Sequence, residues 1–259
     1  MFKITITGYY IIIQYISQRI LSLFLILLSF NDSYKFFKGV SNLLSKFREP
    51  ISSLTHLVGA ILSLLGLMLL IKNSLDTANS YNTIILAVFG ISSILLYCAS
   101  SLYHKSISSK HVIKVLRRVD HCMIYVLIAG TYTPICLIAL KGTMGTTLFL
   151  SIWFLALIGI ILKIVWFDAP RWLYTGFYIL MGWISIIAIV PIIKAVSLGG
   201  FMWLLAGGLF YTVGAVIYAT KWPKINLELF GFHEIFHIFI MLGSLCHYIL
   251  MFKYIMYIN

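Results

Sequence analysis

The sequence predicts an all-α protein: a bundle of seven transmembrane helices preceded by a hydrophobic and amphipathic N-terminal extension. Three observations lead there. Apolar side chains make up 61% of the 259 residues and charged ones 10%, against roughly 25% charged in a soluble domain, and the mean hydropathy is +1.02. Apolar stretches of about 20 residues, the length a helix needs to cross a hydrocarbon core of roughly 30 Å, recur along most of the chain. Each ends at Lys, Arg, Pro or a small polar cluster. Nothing alternates in polarity over the about 10 residues of a barrel strand, so a β-barrel is excluded, and no room is left for a separate soluble domain.

The spans fall at about 51–71, 83–103, 121–140, 145–162, 173–193, 201–219 and 232–252. They divide the chain into an extension, 1–48, and a membrane domain, 49–259. In the extension, residues 9–30 are long enough to span but contain Gln14, Gln18 and Arg19. A mid-helix arginine costs about 2.5–3.5 kcal/mol on insertion scales, which the surrounding Ile and Leu can offset, so a crossing and a surface segment both stand. Phe36, Phe37, Val40, Leu43, Leu44 and Phe47 then recur at helical spacing with lysines opposite, the pattern of an interfacial helix on an anionic leaflet. Pro50 suits a first helical turn. Pro134, inside the third span, removes a backbone donor and predicts a kink. Gly207, Gly208 and Gly214 suit close helix contact in the sixth span.

A net charge of +12 would suggest nucleic acid in a soluble protein. Here the basic residues sit between apolar stretches and act as topology signals, so nucleic acid is not a partner. Cytoplasmic connections carry the excess of Lys and Arg. One side collects Lys35, Lys38, Lys46, Arg48, Lys105, Lys110, Lys114, Arg117, Arg118, Lys163, Arg171, Lys221 and Lys224; the other has Lys72, Lys141, Lys194 and Lys253. The first span therefore enters from the cytoplasm, and the C-terminus lies outside. Cys98, Cys122, Cys136 and Cys246 all fall in apolar runs without a CxxC pair. They read as small buried side chains, not as a disulfide framework.

With that orientation the most polar stretches meet at the cytoplasmic end: EPISSLTH (49–56), SSLYH (100–104), VDH (119–121) and HEIFH (233–237). His233 and His237 are i and i+4, on one helix face, a spacing used by helical metal sites. His104, at the same depth, supplies a third nitrogen, the three-ligand arrangement in which zinc keeps an open position. Imidazole also suits iron, copper and nickel. Asp120 is placed to hold or deprotonate a water there, and Ser100, one turn before His104, reaches the same place. Glu234 points away from His233 and reads as a rim residue. His56 and Glu49 either support the ligands or anchor the first helix. His247 lies about 15 Å deeper than His237 at 1.5 Å per residue and reads as a buried, hydrogen-bonded histidine; His111, among Ser and Lys, reads as solvated.

The stretches EPxxxxTH, SSLYH, RVDH, AGTYTP, MGW and HEIFHIFIMLGSLCH, in this order over about 49–252, resemble the hemolysin III family. That family belongs with the progestin and adipoQ receptors, among them the adiponectin receptors, and more distantly with alkaline ceramidases. The resemblance implies a zinc ion held by three histidines of the SxxxH and HxxxH motifs with an aspartate nearby, mapping onto His104, His233 and His237 as ligands and onto Asp120 and Ser100 as the catalytic pair. The first motif departs from the family, which usually has asparagine where this chain has Ser52, and a serine contact there is expected to pass through water. The N-terminal 48 residues also exceed what bacterial members usually carry.

Two functions follow. One is a zinc-dependent hydrolase acting on a membrane-lipid amide or ester, with an acyl chain held in the bundle. The other is a haemolytic pore, or a regulator of membrane lipid state with structural zinc. A pore needs polar residues along whole helix faces, whereas polarity here is confined to one end, which favours the hydrolase. Either way the expected location is the cell membrane, as a multi-pass protein.

Overall fold

The computed structural model describes residues 46–77, 80–224 and 230–258. The stretch 9–30 and all but Phe47 of the interfacial pattern lie outside the described residues. The described chain is helical: α1 (Pro50–Thr77), α2 (Ser80–Lys105), α3 (Lys110–Pro134), α4 (Gly142–Val165), α5 (Arg171–Trp183), α6 (Ile189–Thr220) and α7 (Phe232–Lys253). Short 3-10 segments follow α5 and α7, and a π-helical stretch, Ile135–Leu140, follows α3.

Among the described residues, six helical stretches are long and apolar enough to cross a membrane. One of them, Arg171–Thr220, runs for 50 residues, about 75 Å at 1.5 Å per residue, more than twice a hydrocarbon core. It is not straight. Ser197, inside α6, has φ 62° and ψ 171°, a left-sided backbone that interrupts the helical hydrogen-bond ladder where the sequence separates its fifth and sixth spans.

Exposed apolar side chains such as Leu62, Met68, Ile84, Leu150, Phe154 and Val190 cover the outside of the helices, the surface that lipid solvates. Inside, α1 packs along α2, α2 along α3 and α6 along α7, while α7 returns to α1. Small and polar residues bring the backbones close where lipid gives no hydrophobic drive between helices. A Cβ on Gly130 would stand 2.2 Å from Ser92 Oγ. Between α1 and α2, Ser101 Oγ donates to the Ser53 carbonyl at 3.0 Å and Ser53 Oγ to the Ser101 carbonyl at 3.1 Å.

Several local expectations are refined. The basic residues Lys110 to Arg118 form the first turns of α3 rather than a loop, capped by Ser109, whose Oγ accepts from the Val112 N–H at 3.4 Å. After Pro134 the chain passes into the π-helical stretch, because proline lacks the N–H that would continue the α ladder. Gly207 and Gly214 are contact glycines, but Gly208 has nothing within 4 Å of a Cβ position; it opens onto an internal cavity. Cys122, Cys136 and Cys246 are buried, whereas Cys98 is exposed, and all four are free thiols.

Candidate metal centre and cavity

The site is built where three helix ends meet. Glu49, just before α1, is tied to the end of α2 through its backbone, its N–H donating to the His104 carbonyl at 3.0 Å. The first turn of α7 brings His233 and, one turn on, His237 to the same point. His104, His233 and His237 each offer a ring nitrogen, and the three atoms lie within 4.8 Å of one another. His104 and His237 are each 1% exposed.

The ring orientations are set from behind. His104 Nδ1 is hydrogen-bonded to the Glu49 carboxylate, which directs Nε2 inward. His237 Nδ1 faces the Thr55 hydroxyl at 3.4 Å, a group whose own proton goes to the Ile51 and Ser52 carbonyls; Nε2 of His237 is thus the free nitrogen. His56 stacks on His237, centroids 3.6 Å apart and planes 10° from parallel. Both Glu49 and His56 therefore touch the cluster, and neither only anchors α1. Partial burial pushes the Glu49 carboxyl up, but its hydrogen bond with His104 and the positive charge of Arg48 beside it outweigh this and hold it at about 2.

Glu234 is more than a rim residue. Its carboxylate accepts from Ser52 Oγ at 2.5 Å and from the Gly231 N–H at 2.8 Å, so it caps α7 and joins it to α1. The Ser52 contact is direct, not through water. Sequence reasoning missed Thr55 and His121, although both stand inside quoted motifs, next to His56 and Asp120.

The donor set fits a metal. His104 Nε2 and His233 Nε2 are 3.3 Å apart, about the edge of a tetrahedron whose metal–nitrogen bonds are about 2.0–2.1 Å. Two imidazole lone pairs so close repel unless a proton or a cation lies between them, and Nδ1 of His104 is already committed to Glu49. The cluster can therefore bind a metal ion.

Beside it stand Ser100, buried in α2, and Asp120 of α3. Ser100, Asp120, His233 and His237 all open onto a cavity of about 180 Å³ that runs between the helices to Ile135, Ile192 and Phe201. Away from the histidine end its wall is chiefly apolar, from Leu96, Leu127, Ile128, Ile189 and Leu204 among others. Deeper along it, His247 is 5% exposed with Nε2 3.4 Å from the Leu204 carbonyl, and is no member of the cluster. His111 is exposed. The sequence-read ligands are thus brought together, with the Ser100–Asp120 pair facing the same space.

The family model for Haemolysin-III related proteins matches residues 44–248. The chain belongs to the haemolysin III family. It is 41% identical over 196 residues to a "Hemolysin-3 homolog" of Bacillus subtilis (strain 168), covering 76% of this chain and 89% of the relative. It is 41% identical, over 76% of this chain and 86% of the relative, to "Hemolysin-3" of Bacillus cereus. A more distant similarity, 25% over 217 residues, joins it to the "Monocyte to macrophage differentiation factor" of Homo sapiens, over 81% of this chain and 85% of the relative. As a haemolysin III member with six membrane-length helical stretches among its described residues, the protein is a multi-pass protein of the cell membrane.

Proposed function

We propose that this haemolysin III protein is a zinc-dependent hydrolase that cleaves an amide or ester bond of a membrane lipid. The observation that carries the reading is the placing of three converging imidazoles, with Asp120 and Ser100 beside them, at one end of an apolar cavity. His104, His233 and His237 would hold the ion through imidazole nitrogens, which are among zinc's ordinary ligands. Bound there, zinc would lower the pKa of water towards about 7 and polarise a carbonyl.

The protein's own groups do the rest. Glu49 and Thr55 fix which nitrogens of His104 and His237 face the centre, an orienting role that ligand neighbours commonly play. Asp120 takes up the proton of the attacking water as general base, and the Ser100 hydroxyl holds that carboxylate in place. The apolar wall receives the acyl chain and excludes bulk water, which strengthens every charge interaction at the site. Membrane lipids are the partner on this reading.

The same reading takes the break at Ser197 as the turn between two crossings, so that α1 to α4, the 171–196 stretch, the remainder of α6 and α7 cross seven times. The lopsided distribution of Lys and Arg then puts Glu49, His104 and His233 on the cytoplasmic side. The relatives' name favours a second reading, cytolysis through a pore. Against it stands the cavity wall, too apolar beyond its histidine end to conduct ions.

Purified protein loaded with zinc, offered a panel of ceramides, phospholipids and acyl esters, should release free fatty acid, with the uncleaved lipid accumulating in a deletion strain. No turnover on any of them, together with dye release from liposomes, would replace the hydrolase by the pore.

A further inference from the structure

Four positive charges gather around one aromatic ring at the histidine end of the bundle. Lys114, Arg117 and Arg118 stand at i, i+3 and i+4 near the start of α3 and so share a face; Lys163 comes from the last turn of α4. Phe167, in the short turn after α4, is their meeting point. Its ring centroid is 5.9 Å from Lys114 Nζ, 5.3 Å from Arg117 Cζ, 5.2 Å from Arg118 Cζ and 4.9 Å from Lys163 Nζ. Lys163 Nζ also lies 3.7 Å from the Tyr174 centroid and 3.5 Å from the Phe167 carbonyl oxygen.

Basic residues at a membrane boundary are ordinarily solvated topology signals. These are not all solvated: Lys163 is 3% exposed and Phe167 8%, and Arg118 Nε is buried without a hydrogen-bond partner. Carboxylates do not balance them. Among the described residues the ion pairs are those of Glu49 with Arg48 and His104. Asp168 attracts Lys163 and Asp120 attracts Arg117 through space, which still leaves two positive charges in excess. A ring face attracts a cation through its quadrupole, but it does not relieve the repulsion among four. Nearby, His121 Nδ1 is also buried and unpartnered, its ring 6.3 Å from that of Phe167.

We propose that this cluster binds the phosphate of an anionic membrane lipid. Two guanidinium groups match the planar, two-pronged geometry of phosphate oxygens, and basic pockets between helices at the boundary of a membrane take acidic headgroups. His121 and Tyr174 belong both to the surroundings of the cluster and to the cavity wall, so a lipid held here by its phosphate has its chains beside the cavity. The proposal requires neither the metal nor hydrolysis.

The test is native mass spectrometry of the purified full-length protein offered an equimolar mixture of phosphatidylglycerol and phosphatidylcholine with identical chains. Phosphatidylglycerol should be retained about tenfold over phosphatidylcholine, and Arg118→Gln, Lys163→Met and Lys114→Gln should each reduce that preference. Lys224→Gln, an exposed change elsewhere, should leave it intact. A helical circular-dichroism spectrum and thermal midpoint in detergent equal to those of the unaltered protein certify that each variant is folded; Lys114, being exposed, keeps the test available if a buried change unfolds the chain. Equal retention of the two lipids, or an undiminished preference in the folded variants, overturns the proposal. So does displacement of phosphatidylglycerol by equimolar inorganic phosphate, which would make the site one for a free anion.

Discussion

Nε2 of His104, at the end of α2, lies 3.3 Å from Nε2 of His233, in the first turn of α7. The two residues are 129 positions apart, and neither nitrogen has a reason to face the other unless something positive is shared between them. This pair sets the first prediction: about one zinc per chain, lost in His104→Ala, His233→Ala or His237→Ala, because three protein ligands are the minimum for an open catalytic-type site. His247→Ala should keep its zinc. Elemental analysis of the purified variants decides; zinc lost from the His247 variant but kept by the His104 variant would mean a different ligand set.

Glu49 should matter without being a ligand. Its carboxylate fixes the His104 tautomer, and Glu49→Gln replaces that acceptor by a neutral amide. Loss of such an orienting group typically costs about 10–100-fold in metal affinity. Competition with a chromophoric chelator should show a weakening of that size, and an unchanged affinity would reduce Glu49 to a tether for α1.

Asp120→Asn separates binding from chemistry. Asparagine can still accept a hydrogen bond but cannot take up a proton. The variant should retain most of its zinc while hydrolysis of a long-chain amide or ester is abolished. Turnover near that of the unaltered protein would remove Asp120 from the role of general base.

Gly207 and Gly208 are adjacent yet should respond differently to alanine. A Cβ at Gly207 would stand 2.4 Å from His247 Nε2, whereas Gly208 faces open cavity. Overpacking of this kind costs about 1–3 kcal/mol, so Gly207→Ala should lower the thermal midpoint in detergent, and His247→Ala in the same chain should restore part of it. Gly208→Ala should leave the midpoint unchanged or raise it, alanine being the better helix former by about 1 kcal/mol.

Reporter fusions test the orientation. A fluorescent protein should be active when fused in the connection between α2 and α3, and alkaline phosphatase when fused after the last residue. The reverse result would move the histidine cluster to the outer face.

By itself the sequence determined the solvent, the secondary structure and the end of the bundle where the polar residues gather. Partition into lipid acts residue by residue, so hydropathy and length settle it locally, and the i, i+4 spacing of His233 and His237 fixes their common face. The tertiary structure decided what depends on how each helix is rotated and how deep it sits. In a membrane helix the lipid-facing and the inward-facing residues are both apolar, so periodicity does not give the rotation. That is why Glu234 reads as a rim residue until its carboxylate is seen bonded to Ser52 and the Gly231 N–H, and why Gly208 reads as a contact glycine until the cavity beside it appears. Lys163 is one more basic residue after a span in the sequence; only the packing of α4 against α3 buries its ammonium among three other cations around Phe167, where the balance of charge is a property of the fold and not of any stretch of chain.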